Sequence, residues 1–382
     1  MALMRSTLAL ALAAVGCVLA SLPAQAAGTD CPLARTPYSA ETPLIDLLID
    51  PRTKAVLDRE LGGALAHMPA GFMSATPPSF ATIVTARELL GMVGRKDGAA
   101  ALARIDAAVK AVPLTRQAIR ARCARYDQVR PKLPARIGHP AILVFDKITG
   151  FRDSPSVDAA AVALKAMAAR RGWTMVFSDN GAVFNARDIA RFDAVVWNNV
   201  SGDALTVPQR GAFKAYLAKG GGFAGFHGSA GDPHYIWDWY ADTLIGARFI
   251  GHPMGPQFQE GRVVVDDRTS AITRGLGDEW KMTEEWYSFA SSPRTTGAHI
   301  LVTLDEASYK PRGFGTQDLH MGDHPLAWTR CIGNGRSFYS AIGHRPESYS
   351  QPQSLTLLEQ GIAWAAGLGE TTCRAGVEQA RR

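Results

Sequence analysis

The alternation of apolar runs and helical stretches between residues 141 and 226 constrains the fold of this chain most. The run Ala141-Ile142-Leu143-Val144-Phe145 is apolar throughout, and an amphipathic helical stretch follows at 157–171. Further short strands are expected at 173–177 and 193–197. A helix opens on Thr206-Val207-Pro208-Gln209 and runs to Ala218, glycines at 220–222 stop it, and a fourth strand covers 223–226. Short apolar strands separated by a helix's length of chain are buried on both faces and build βαβ units. The expected fold class is α/β, a doubly wound and mostly parallel sheet with helices on both faces. Later strands at 262–265, 300–304, 326–330 and 337–342 lack a long helix between every pair, so they are expected to extend the sheet in antiparallel fashion. A last helix is expected at about 355–366.

A different texture precedes this domain. Residues 41–130 read as a small all-α unit, with helical spacing through Leu44, Leu47, Leu48, Val56 and Leu57, then over 80–93 and 96–112. Docking or folding support is one role for such a unit, and capping a substrate is another. The prolines of Arg130-Pro131-Lys132-Leu133-Pro134 mark a linker. Residues 1–26 have one charge, Arg5, an apolar stretch from Leu8 to Leu22 and an Ala24-Gln25-Ala26 end, the pattern of a secretory signal peptide. The expected organisation is a signal peptide at 1–26, linker and helical unit at 27–134, the α/β domain at 135–370 and a tail at 371–382. An exported protein, periplasmic or secreted, is expected, with no membrane span after signal cleavage.

Removing 1–26 leaves 356 residues and takes the net charge from +6 to +5. Without a run of five basic residues this is no nucleic-acid footprint. The cysteines left are Cys31, Cys123, Cys331 and Cys373. In an oxidising compartment they can pair in three ways. Cys31–Cys123 with Cys331–Cys373 keeps each bridge inside one domain, and four buried free thiols are the alternative.

Ligands of open parallel sheets bind beyond the carboxyl ends of the strands. The loops there carry Arg152 and Asp153, then Asn199, then His227 and Asp232. Gly225-Phe226-His227-Gly228 reads as a sharp strand-to-helix turn that projects its central side chain over the sheet edge. An imidazole there can act as general base, hydrogen-bond donor or metal ligand. His252 lies between Gly251 and Pro253. His344 ends a strand, with Glu347 three residues on as a candidate partner, so His227, His344 and Glu347 are the catalytic candidates. Glu285, Trp286 and Tyr287 set a carboxylate beside aromatics, as in sites that grip sugar hydroxyls and stack on a ring. His227, His252 and His344, converging with an acid, could hold a divalent metal such as Zn²⁺.

Lys147-Ile148-Thr149-Gly150-Phe151-Arg152, Gly225-Phe226-His227-Gly228, Gly251-His252-Pro253, Glu284-Glu285-Trp286-Tyr287, His324-Pro325-Leu326-Ala327-Trp328 and the segment 335–349 together resemble the ThuA-like (trehalose-utilisation) family. The resemblance covers about residues 139–367 and leaves out the helical unit. It implies a class I glutamine amidotransferase-like fold and a role in sugar catabolism, on trehalose-related glycosides or keto-sugars made by a partner dehydrogenase. That fold elsewhere carries a Cys at the elbow. Here His227 stands there, which argues against glutamine hydrolysis. The His344-x-x-Glu347 end is only loosely like that fold's His-x-Glu pair, and Asp153 stands where many members have His.

The expectation is an exported carbohydrate-processing enzyme, a glycoside or keto-sugar hydrolase or lyase working by acid–base or metal-assisted C–O cleavage. A non-catalytic sugar-binding protein is the alternative, and an exported structural protein a third reading.

Overall fold

The computed structural model describes residues 29–369 apart from 63, 64, 66, 67, 69–72 and 93. The expected signal peptide, the tail at 371–382 and Cys373, with its pairing to Cys331, lie outside the described residues. The helical unit comprises α1 (Leu44–Ile49), α2 (Pro51–Glu60), α3 (Ala86–Met92), α4 (Gly98–Lys110) and α5 (Arg116–Cys123). Leu44, Leu47, Leu57, Ile105 and Val109 are fully buried in its own core. A disulfide joins Cys31 to Cys123.

The α/β domain follows as β1 (Ala141–Phe145), α6 (Ser154–Arg171), β2 (Thr174–Ser178), α7 (Ala186–Ile189), β3 (Ala194–Trp197), α8 (Val207–Ala218) and β4 (Gly222–Phe226). Then come β5 (Phe249–Gly251), β6 (Gln259–Val265), β7 (Glu279–Glu284), β8 (Ser288–Phe289), β9 (His299–Asp305), β10 (Pro325–Ile332), β11 (Gly335–Ser340) and α9 (Pro352–Ala365). Among the described residues nine strands form one sheet in the order β2-β1-β3-β4-β11-β10-β9-β6-β7. The first four and β11 are parallel, and β10, β9, β6 and β7 continue antiparallel. β5 and β8 pair separately.

Local chemistry sets the helix ends. Asp153 caps α6 by accepting from Ser156 N at 3.1 Å, Pro155 sits in its first turn, and Gly172 ends it at φ 68°. At α8, Thr206 and Gln209 form a reciprocal capping box. Both faces of the sheet are covered. A Cβ on Gly222 would strike Ala365 of α9, while the next residue, Phe223, packs on Phe213 of α8. Successive residues of a strand point to opposite faces, so α8 and α9 lie on opposite sides.

The helical unit docks on the carboxyl edge of the sheet. Ser79 N donates to Thr149 O at 3.0 Å, and the Tyr126 hydroxyl donates to Asp203 at 2.7 Å. Lys147 pairs with Asp127.

Candidate active site

His227 stands at the end of β4 with φ 29°, and a tight turn over His227–Ala230 follows. A left-handed backbone at a bulky residue is strained and is held by its surroundings. Tyr339 donates its hydroxyl to His227 O at 2.8 Å. Gly228 N donates to Asn199 Oδ1 at 3.2 Å, and a Cβ on Gly228 would come 3.2 Å from Asn199 O.

The parallel register of β4 with β11 brings the end of β11 alongside this turn. His227 Nδ1 lies 2.7 Å from Ala341 O. A carbonyl only accepts, so Nδ1 carries a hydrogen, and Nε2, turned to the site, donates to the Glu285 carboxylate when it carries one as well. Three residues beyond Ala341, His344 sets Nδ1 3.2 Å from His227 Nε2. The carboxylate between them is Glu285. Its Oε2 lies 3.1 Å from His227 Nε2 and 2.9 Å from His344 Nδ1.

Glu285 arrives by an indirect route. β7 ends at Glu284 on the far edge of the sheet, and the chain then returns over β10 and β11, where Phe289 packs on Trp328 and Tyr339. Glu284 anchors the return. Fully buried, it accepts from Gly343 N at 3.0 Å, from Glu285 N at 2.8 Å and from the Ser348 hydroxyl. It thereby ties the Glu285 segment to the His344 loop.

Burial alone would raise the Glu285 carboxyl. The hydrogen bonds from His227 and His344 and the charges of His227 and His252 override it, and they hold the group well below the usual carboxylate range. Burial alone would lower the His344 imidazole, but Glu285, with help from Glu284 and Asp153, leaves it above its ordinary value. His344 Nε2 bonds no other residue among those described, and the side chain is 12% exposed, so this atom is where the cluster meets a ligand.

A match to the ThuA family, described as trehalose utilisation, spans residues 141–365. The chain belongs to the ThuA family. Of solved structures, a ThuA-like protein from Bacteroides uniformis ATCC 8492 is similar at 23% identity and TM-score 0.51, over 62% of this chain and 95% of that one. A ThuA-like protein from Parabacteroides merdae ATCC 43184 matches at 19% identity and TM-score 0.44, over 61% of this chain and 92% of that one. No curated protein matches the chain. The first likeness supports the fold, an α/β sheet of the ThuA-like kind.

Among the sequence candidates, the ThuA-family fold brings together His227, Glu285 and His344. His252 borders them, its Nδ1 3.3 Å from Glu285 Oε1. Other candidates have different positions. Glu347 is 65% exposed and pairs with Arg345, so Glu285 takes the place expected of it beside His344. Trp286 is fully buried against Gly261 and donates to Gln259 O at 2.9 Å, so no ring face is open for stacking. Tyr287 is buried too, its ring 3.9 Å from that of His227, and it supports the imidazole from below the surface.

Asn199 is buried and turned to Tyr349, and Asp232 is buried and accepts from the Ser201 hydroxyl and Gly202 N. Both knit the loops together instead of facing outward. Asp153 is spent in part on capping α6. Arg152 is half-buried, 3.7 Å from Asp158.

The rim holds two aromatics that sequence reasoning missed. Phe151 and Phe258 are 46% and 38% exposed, with ring centroids 6.4 Å and 5.2 Å from that of His344. Adjacency to Arg152 was the one available signal for Phe151.

The expected metal set changes as well. His227, Glu285 and His344 each offer one ligand atom, all within 4.8 Å of one another, and His252 is not in the group. Two imidazoles and a carboxylate suit Zn²⁺ or a similar divalent ion. The Nδ1–H of His227 on Ala341 O is the kind of outer contact that orients a ligating imidazole.

Proposed function

We propose that this ThuA-family chain is an exported carbohydrate-processing enzyme that cleaves a C–O bond of a glycoside or keto-sugar at His227, Glu285 and His344. The observation that carries the proposal is the placement of Glu285 Oε2 within 3.1 Å of both ring nitrogens at the carboxyl edge of the sheet. The family's link to trehalose utilisation supports the substrate class. The disulfide Cys31–Cys123 and the leader-like residues 1–26 support export.

Glu285 fixes His344 with Nδ1 inward and leaves Nε2 as the acid–base atom. On a 3-keto-glycoside the C2 proton, beside the ketone, is the acidic one. His344 Nε2 takes it, the C1–O bond breaks, C1=C2 forms, and the departing oxygen receives the proton. His227, held by Ala341 O and Glu285, steadies the charge of the pair. The same three side chains would hold a divalent cation, which would supply polarisation of a substrate oxygen.

The test is turnover of 3-keto-trehalose by the purified chain. His227→Ala and His344→Ala should each lose it, and unchanged activity in both would sink the site assignment. Sugar affinity that survives both substitutions, with no turnover in any form, would instead identify a sugar-binding protein.

A further inference from the structure

A cavity of about 570 Å³ opens between the helical unit and the carboxyl ends of β1 and β2, within the usual range of roughly 300–1,000 Å³ for small-molecule sites. Pro77 and Pro78 of the helical unit form part of its wall. Asp146 and Lys147 follow β1, Asp179 follows β2, and Arg152 leads into α6. Arg125 and Asp127, from the chain just after α5, complete the charged lining.

Three carboxylates and three basic groups make this lining neutral overall. Lys147 is already paired with Asp127, and Arg125 with Asp46. Asp146 and Asp179 bond no other side chain among the described residues, and burial together with the charge of Asp179 raises the Asp146 carboxyl from its ordinary value. Acceptors without donors therefore stand near Arg152, a donor held only loosely. A phosphate would face two unpaired carboxylates, and a bare cation would meet three basic side chains. A neutral polyhydroxylated molecule satisfies both kinds of group, because each hydroxyl donates and accepts. The proline faces offer apolar surface to the C–H side of a sugar ring.

The cavity adjoins the active site through one dipeptide. Arg152 lines it, and the preceding residue, Phe151, packs on the His344 ring. We propose that this cavity is a second sugar subsite, which holds the distal ring of a disaccharide or longer glycoside whose scissile end lies at His344. The inference rests on the proposed function for its orientation. It also gives the helical unit a role in substrate recognition.

Calorimetry on the full chain with trehalose and with glucose tests it. The expected result is trehalose binding at least about tenfold tighter than glucose, roughly the 1.4 kcal/mol of a factor of ten. The double variant Asp146→Asn with Asp179→Asn should bring trehalose down to the affinity of glucose. Asp179→Trp, a change at an exposed position that fills the cavity, should do the same and guards against a misfolded double variant. Equal affinity for the two sugars in the unaltered chain would overturn the proposal, as would wild-type trehalose binding in both variants. Turnover in Glu285→Gln separates this result from the catalytic reading. Unchanged turnover there, beside a retained preference for trehalose, would overturn the catalytic reading and support the subsite. Lost turnover with no preference for trehalose would overturn the subsite alone.

Discussion

Glu285 Oε2 sits 2.9 Å from His344 Nδ1, although 59 residues separate the two in the chain. The carboxylate nearest in sequence, Glu347, points to solvent with Arg345. Glu347→Gln should therefore leave turnover nearly unchanged, since its carboxylate pairs with Arg345 and with none of the three clustered side chains. A loss as large as that of His344→Ala would show that Glu347 works in the site.

The aromatics divide in the same way. Phe151→Ala and Phe258→Ala should each raise KM for a keto-glycoside several-fold, with thermal stability nearly unchanged. Trp286→Ala should act on stability instead, costing about 3–5 kcal/mol as a large buried side chain is lost. Denaturant unfolding beside steady-state kinetics checks all three. A Trp286→Ala protein of normal stability and poor sugar affinity would contradict this division.

The sheet was legible because its parts are local. The runs that became β1 and β3 are apolar throughout, and the α8 start carries its own capping box. β7 was not among the expected strands. It is an edge strand whose exposed Glu279 and Lys281 alternate with buried Trp280 and Met282. The elbow at His227 was legible from its glycines. The partner of His344 was not, because the return of the chain after β7 is a tertiary event with no local signature. Phe151 and Phe258 were missed because a single aromatic in a loop reads the same whether it packs inward or lines a rim. Trp286 misled for the converse reason, since its neighbours are polar yet its ring fills a space above Gly261.

Asp232 predicts a pH effect on stability. Burial pushes its carboxyl up to about 7, against the hydrogen bonds from Ser201 and Gly202. A folded-state value above the unfolded value of 3.8 favours the protonated folded form. That stabilisation is full below the unfolded value and is lost as pH rises through about 7. The Tm of the unaltered chain should thus rise relative to that of Asp232→Asn as pH falls from about 8 to about 5. Parallel curves would show that Asp232 titrates normally.

The donor set at His227, Glu285 and His344 predicts a thermal response to metal. Saturating Zn²⁺ should raise the Tm of the unaltered chain, since a ligand bound only by the folded state stabilises it. The same addition should give no shift in His227→Ala. Equal shifts in both proteins would place the metal elsewhere.

The most direct measurement is kcat on 3-keto-trehalose for Glu285→Gln, with trehalose affinity measured on the same sample. The amide keeps the shape of the carboxylate but can no longer hold both imidazoles by charge. The expected result is a fall in kcat of about 10²–10⁴, the range of general acid–base catalysis, with trehalose affinity retained. A kcat equal to that of the unaltered chain would contradict it.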